Sequence, residues 1–213
     1  LPSYRGDFIN GPEFTEAARI PDPRRMIKGH ARSAMTMNFV RSLIDGGFAD
    51  LHHPEYWDLG WVTQSPQSEQ YQKLVQSVGD SVRFMETISG EKAHVVNRTD
   101  FYTSHEALLL PYEEAVTRQV PRQKGWFNLS THYPWIGMRT AQLDGAHVEY
   151  FSGIENPVGV KISASVSDDQ IKQLCEKLNP TNETGRLTFI HRLGASNVEK
   201  HLPRLIRAVQ AEG

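Results

Sequence analysis

Apolar positions follow one rhythm along the chain as far as Gly90 and another beyond it. From Asp22 onward Met26, Ile27, His30, Ala34, Met37, Val40, Arg41 and Ile44 recur at roughly a 3.6-residue spacing, which predicts a long helix. Asp22 stands as its N-cap, Pro23 at its first position, and Gly46-Gly47 ends it. Ser65-Pro66 opens a second long helix running to Gly90, with Tyr71, Leu74, Val78, Val82 and Met85 as its expected buried stripe. The polar stretch 50–65 connects the two. Residues 1–22, broken by glycine and proline and without a period, read as an irregular arm.

Beyond Gly90 short β-branched runs alternate with amphipathic segments. The runs Val95–Thr99, Trp126–Ser130, Val158–Ile162 and Leu187–Ile190 predict strands, and 140–152, 167–178 and 195–211 predict helices. Strands separated by helices of that size argue for parallel βαβ units. A doubly wound nucleotide-binding sheet calls for a glycine-rich turn after its first strand. No such turn and no P-loop occurs, so the expected fold is α/β, a (β/α)8 TIM barrel of which this chain supplies about half the strands. The organisation is then an arm over 1–22, a long helical segment outside the barrel over 23–92, and βα units over 93–213. The chain closes on Ala211-Glu212-Gly213, a helix end where an α/β chain would next place a strand. The expectation is a piece of a longer protein.

Composition narrows the class. With 213 residues, 38% of them hydrophobic, there is enough material for one sizeable core. A formal charge of −2 argues against a nucleic-acid partner. No apolar run approaches the length of a membrane span. The single cysteine, Cys175, cannot form an internal disulfide and fits a reducing, cytoplasmic compartment. It lies mid-helix beside Leu174 and Leu178, as a small hydrophobe would. Nine histidines invite a metal reading, but His52-His53 is a loop pair with no carboxylate or cysteine at ligand spacing. His147 is expected to face neighbouring helices.

In a β/α barrel, chemistry sits at the C-terminal ends of strands. Three of those ends carry a cation. Lys161 closes Val158–Ile162, Arg192 follows Leu187–Ile190, and Arg139 follows the Asn128–Gly137 segment that the Trp126–Ser130 run leads into. Three cations at one mouth repel one another unless an anion compensates them, and a phosphate beside a carboxylate suits such a trio. The alternative is that each pairs with a structural carboxylate. Lys161 has a further reading, a Schiff-base lysine in apolar surroundings with neighbouring arginines. Glu106, after the strand at 95–99, could orient a water or accept a proton. Its neighbour His105 could share a target with it only on irregular backbone. Trp135 could wall the site or pack in the core.

Several runs are familiar. Leu1-Pro2-Ser3-Tyr4-Arg5-Gly6-Asp7, Thr103-Ser104-His105-Glu106-Ala107-Leu108-Leu109-Leu110, Gln142-Leu143-Asp144-Gly145-Ala146-His147 and Asn156-Pro157-Val158-Gly159-Val160-Lys161 resemble the class II (plant-like) 3-deoxy-D-arabino-heptulosonate 7-phosphate (DAHP) synthases. Gly185-Arg186-Leu187-Thr188 and Arg192-Leu193-Gly194-Ala195 match as well. The likeness runs the whole length in order and covers the middle of the family's chain. It implies a (β/α)8 barrel transferase at the head of the shikimate pathway to aromatic amino acids. Such an enzyme condenses phosphoenolpyruvate with erythrose 4-phosphate, releases phosphate and needs manganese or cobalt. It also implies that Met138, Arg139, Lys161 and Arg192 bind phosphoenolpyruvate, and that Glu106 and Lys161 are catalytic, with Lys161 binding rather than covalent.

Two departures accompany the likeness. The family's Trp-x-Gly-Glu-Arg-Thr-Arg run reads Trp135-Ile136-Gly137-Met138-Arg139-Thr140-Ala141 here, so Met138 can serve only if the family glutamate contributes its backbone amide. The family's metal ligands, a cysteine upstream and a histidine, glutamate and aspartate downstream, lie outside this chain, as does the arginine of a Lys-Pro-Arg-Ser run. A degenerate anion-binding homologue without catalysis is therefore the alternative function. A second copy or a complementing barrel segment is the expected kind of protein partner.

Overall fold

The computed structural model describes residues 8–48, 50, 62–90 and 99–212. The Leu1–Asp7 run, His52-His53 and residues 95–98 of the first predicted strand lie outside them. The chain divides into two compact units, Leu1–Phe101 and Tyr102–Gly213.

The first unit is helical. A short α1 (Glu16–Arg19) precedes α2 (Arg24–Asp45), and a 3₁₀ turn (Val62–Gln64) precedes α3 (Ser68–Ser89). Helix α2 begins one residue later than expected, with Pro23 rather than Asp22 as its N-cap, and the Asp22 carboxylate accepts from the Arg24 backbone N–H at 3.0 Å just ahead of it. Gly90 ends α3 at φ 70°, where a side chain would be strained. The expected α3 stripe is only partly realised. Val82 is buried and Val78 half-buried, whereas Tyr71, Leu74 and Met85 are exposed. A 3.6-residue period tells which side of a helix is apolar but not what covers that side.

The second unit is a parallel sheet with helices on one face. Strands β1 (Ser104–Glu106), β4 (Tyr133–Ile136), β5 (Val158–Ile162) and β6 (Leu187–His191) lie side by side in that order, all parallel. Helix α4 (Leu110–Ala115) and a two-stranded antiparallel ribbon, β2 (Thr117–Arg118) with β3 (Phe127–Asn128), fill the connection from β1 to β4. After β4 the chain repeats a simple unit, α5 (Ala146–Ser152) before β5, α6 (Asp168–Leu178) before β6, and α7 (Val198–Gln210) last. Consecutive βα units laid side by side are the building step of parallel α/β folds.

Alternation along β5 separates the two faces. Val158, Val160 and Ile162 point into the core with Ile136, Val148, Phe151, Ile171, Leu174, Leu178 and Leu205, all at most 3% exposed. Gly159 and Lys161 point the other way, toward Tyr133, Trp135 and Ile190. The guanidinium of Arg186 donates to the carbonyls of Phe151, Ile154 and Asn156, tying the end of α5 to the start of β5. Burial lowers its pKa.

Three expectations need correction here. The Trp126–Ser130 run contributes only two residues of strand, and these pair antiparallel in the ribbon rather than joining the parallel sheet. The parallel strand is the next segment, Tyr133–Ile136, which Pro134 disguises, because proline cannot donate to a ladder. Tyr133 N donates to Thr103 O and Trp135 O accepts from Ala107 N, so both groups face β1. The position of the missing Pro134 N–H therefore faces β5, where pairing begins only at Trp135. The 140–152 helix begins at Ala146, because turns closed by Thr140 N to Gly137 O and by Gly145 N to Gln142 O occupy its front half. The helix expected over 195–211 begins at Val198, after a Gly194–Asn197 turn.

Candidate active site

The C-terminal ends of parallel strands share one edge of a sheet, so residues at those ends are neighbours whatever their separation in sequence. Glu106 ends β1, Arg139 follows β4 by three residues, Lys161 is the fourth residue of β5, and Arg192 follows β6 directly. All four sequence-predicted polar residues thus sit on that edge. Arg192 N donates to Ile162 O at 2.9 Å, which carries the β5–β6 ladder one residue further and fixes the arginine backbone. Arg139 lies in a turn whose carbonyl accepts from the Gln142 side chain at 2.9 Å.

Lys161 Nζ donates to Glu106 Oε2 at 3.2 Å, and both side chains are partly buried. The ammonium also stands 4.7 Å from the centre of the Trp135 ring, within cation–π range. Trp135 therefore does wall the site. Gly137 makes the meeting possible, since a Cβ there would overlap the Glu106 carboxylate. Gly159 makes room in the same way, since its Cβ would come within 2.7 Å of the Tyr133 hydroxyl. Arg139 and Arg192 are exposed, and among the described residues neither guanidinium has a hydrogen-bond or ion-pair partner. The alternative in which every cation has its own structural carboxylate holds for Lys161 alone.

Met138 and Ala141 line a cleft of about 240 Å³ together with Lys161, Ser163, Ser165 and Gln170. The loop on its far side is anchored by Arg204, which pairs with Asp168 and donates to the carbonyls of Ala164 and Val166. The two positions that depart from the Trp-x-Gly-Glu-Arg-Thr-Arg pattern thus line the same cleft, each with an apolar side chain.

His105 and Glu106 have no common target. Strand alternation sends Glu106 to Lys161 and His105 to the other face, where its Nε2 lies 2.8 Å from Glu113 Oε1. Glu113 is 2% exposed and belongs to a polar cluster with Asn128, Ser130 and Tyr150. Burial pushes the Tyr150 hydroxyl above its usual pKa. The sequence does not single out Glu113, because the Glu113-Glu114 pair after an apolar run looks the same as a solvated helix face. His147 bonds the Leu108 carbonyl at 3.1 Å, which ties α5 to the β1–α4 loop. Cys175 is half-buried on α6 against the core, and burial raises its thiol pKa.

Among the described residues no three histidine, cysteine, aspartate or glutamate side chains stand close enough to hold a metal ion. None of the helices there is long and apolar enough to cross a membrane.

Comparison with known proteins supplies the family. A phospho-2-dehydro-3-deoxyheptonate aldolase of Streptomyces coelicolor is 44% identical over 213 residues, covering all of this chain and 47% of that protein. One of Neurospora crassa is 40% identical over 225 residues, covering 99% of this chain and 46% of its own length. The chain therefore spans about half the length of the curated relatives it matches. The sequence model of the class-II DAHP synthetase family matches residues 1–213, and the chain belongs to that family.

Proposed function

We propose that the chain forms the phosphoenolpyruvate-binding wall of a DAHP synthase, a (β/α)8 barrel to which it contributes four neighbouring parallel strands. The reaction is the aldol-type condensation of phosphoenolpyruvate with erythrose 4-phosphate, with release of phosphate, in the cytoplasm. One observation carries the reading. Glu106, Arg139, Lys161 and Arg192 sit at the C-terminal ends of β1, β4, β5 and β6, and the two arginines are unpaired among the described residues.

A phosphate and a carboxylate on one small molecule fit this edge. Arg139 and Arg192 offer planar forks to the oxyanions, and Lys161 supplies a compact charge between them. The ammonium has a carboxylate partner and an indole face rather than the apolar surroundings a Schiff base needs, which supports a binding role. Glu106, next to Lys161, is placed to hold a proton or orient a water as phosphate leaves. Met138 contributes its backbone at the phosphate, and its side chain faces the cleft. The divalent metal of the family, manganese or cobalt, finds no ligand set among the described residues, so no step is assigned to it here.

The test is phosphate release by the full gene product from phosphoenolpyruvate and erythrose 4-phosphate with added manganese. The synthase reading predicts stoichiometric release that depends on both substrates. Binding of phosphoenolpyruvate without release would sink it and leave an anion-binding homologue.

A further inference from the structure

On the face of the sheet opposite Lys161 lies a group that the proposed reaction does not use, the carboxylate of Glu113. An ionised carboxylate taken out of water costs several kcal/mol unless hydrogen bonds replace its hydration. Here both oxygens are engaged. Oε1 meets His105 Nε2 at 2.8 Å, and Oε2 accepts from Asn128 Nδ2 at 2.6 Å, with the Ser130 hydroxyl at 3.4 Å. Asn128 is itself locked. Its Oδ1 accepts from Ser130 N and Oγ, its backbone N–H donates to Asn156 Oδ1, and its carbonyl accepts from Asn156 Nδ2. Asn156 stands two residues before β5, the strand of Lys161.

The cluster thus runs from the outer face of β1, through α4 and β3, to the foot of β5. It holds the two strands whose inner faces bring Glu106 and Lys161 together. β1 is only three residues long, and His105 is its middle residue. Fixing the His105 ring from outside fixes the pleat, and the pleat sets the direction of the next side chain, Glu106. An apolar side chain at 113 would fill the same volume at lower desolvation cost, but would give His105 no direction.

We infer that Glu113, acting through His105, is a positioning residue for Glu106 and so for the Glu106–Lys161 pair, an inference that rests on the synthase reading. The experiment uses the full gene product with manganese, measuring kcat and KM for phosphoenolpyruvate, with thermal midpoints alongside. His105 is one-third exposed, so His105→Ala folds more readily than changes at the buried Glu113 and carries the test. His105→Ala should lower kcat on the order of ten- to a hundredfold, the scale set by small displacements of reacting groups. KM should move less than about threefold, because the arginines that bind the anion are untouched. His105→Gln, which keeps a donor near the Nε2 position, should recover most of the loss.

The deciding measurement is the double variant. In a Glu106→Gln background, His105→Ala should cost nothing further, as expected of two residues acting as a unit. Multiplicative losses, a loss confined to KM, or a lowered thermal midpoint with kcat unchanged would each overturn the inference while the synthase reading stands. A wild type inactive with both substrates would sink both.

Discussion

Lys161 and Glu106 meet across an intervening strand: Nζ lies 3.2 Å from Oε2, although β4 separates β5 from β1. What lets them reach is the composition of β4 and its turn. Trp135 lays an aromatic surface beneath the ammonium, and Gly137 leaves open the space that the carboxylate fills. A bulkier residue at 137 would take that space, while one at 159 would press on Tyr133, Ile190 and Trp135.

Gly137→Ala is expected to push the Glu106 carboxylate off Lys161. The carboxylate is the end of a part-exposed side chain that can move aside, so the cost lies at the low end for overpacking, about 1 kcal/mol. Urea unfolding should show the lost stability, and turnover should fall with it. An unchanged unfolding midpoint would mean that Glu106 swings away freely and that the pair is loosely held.

Arg192→Ala should weaken phosphoenolpyruvate binding by about 1.5–3 kcal/mol, the range for hydrogen bonds to a charged group. Arg139→Ala should do the same. Lysine at either place should restore charge but not the fork, and so only part of the affinity. Titration calorimetry reads all four variants, and equal affinity in wild type and Arg192→Ala would remove that residue from the site.

His191 supplies a pH dependence. It is the last residue of β6, just before Arg192; its Nδ1 is buried without a partner among the described residues, and burial lowers its pKa below 6.5. The unfolded chain therefore binds the proton first as pH falls. Stability is whole above pH 6.5 and declines as pH drops through the lowered folded value. His191→Gln should flatten that decline in thermal melts run from neutral to mildly acid pH. An identical slope in the variant would assign the acid sensitivity elsewhere.

Ser167 caps α6 with a full capping box. Its hydroxyl accepts from Gln170 N at 3.1 Å, and Gln170 Oε1 accepts from Ser167 N at 3.0 Å. Ser167→Ala should cost about 1 kcal/mol. Denaturant unfolding measures it, and a loss within error would mean that water replaces the cap at no cost.

The parts of this fold that could be read in advance are those where local pattern and tertiary role agree. Val158–Ile162, Leu187–Ile190 and α6 announce themselves through β-branched runs and an amphipathic period. The strand at Tyr133–Ile136 does not, because Pro134 is tolerated only through a gap in the β4–β5 ladder that no local signal reveals. Of the four candidate polar residues, Lys161 and Arg192 were legible as strand-end residues, whereas Glu106 and Arg139 follow strands, Ser104–Glu106 and Tyr133–Ile136, that the pattern places at 95–99 and 126–130. The Glu113 cluster was not legible, since its members are scattered from His105 to Asn156 and nothing in their spacing brings them together. The exposed flank of α3 makes the same point from the other side, as periodicity orients a helix without naming its cover.

The alternation along β5 has a consequence for assembly. Shifting this strand by one residue against β4 and β6 would exchange its faces, driving the Lys161 ammonium among Phe151, Ile171 and Leu205 and turning Val160 outward. An unpaired ammonium in that setting costs far more than a misplaced valine. The lysine proposed to meet an anion thus also proofreads the pairing of β5, disfavouring the slipped sheet before any ligand is present.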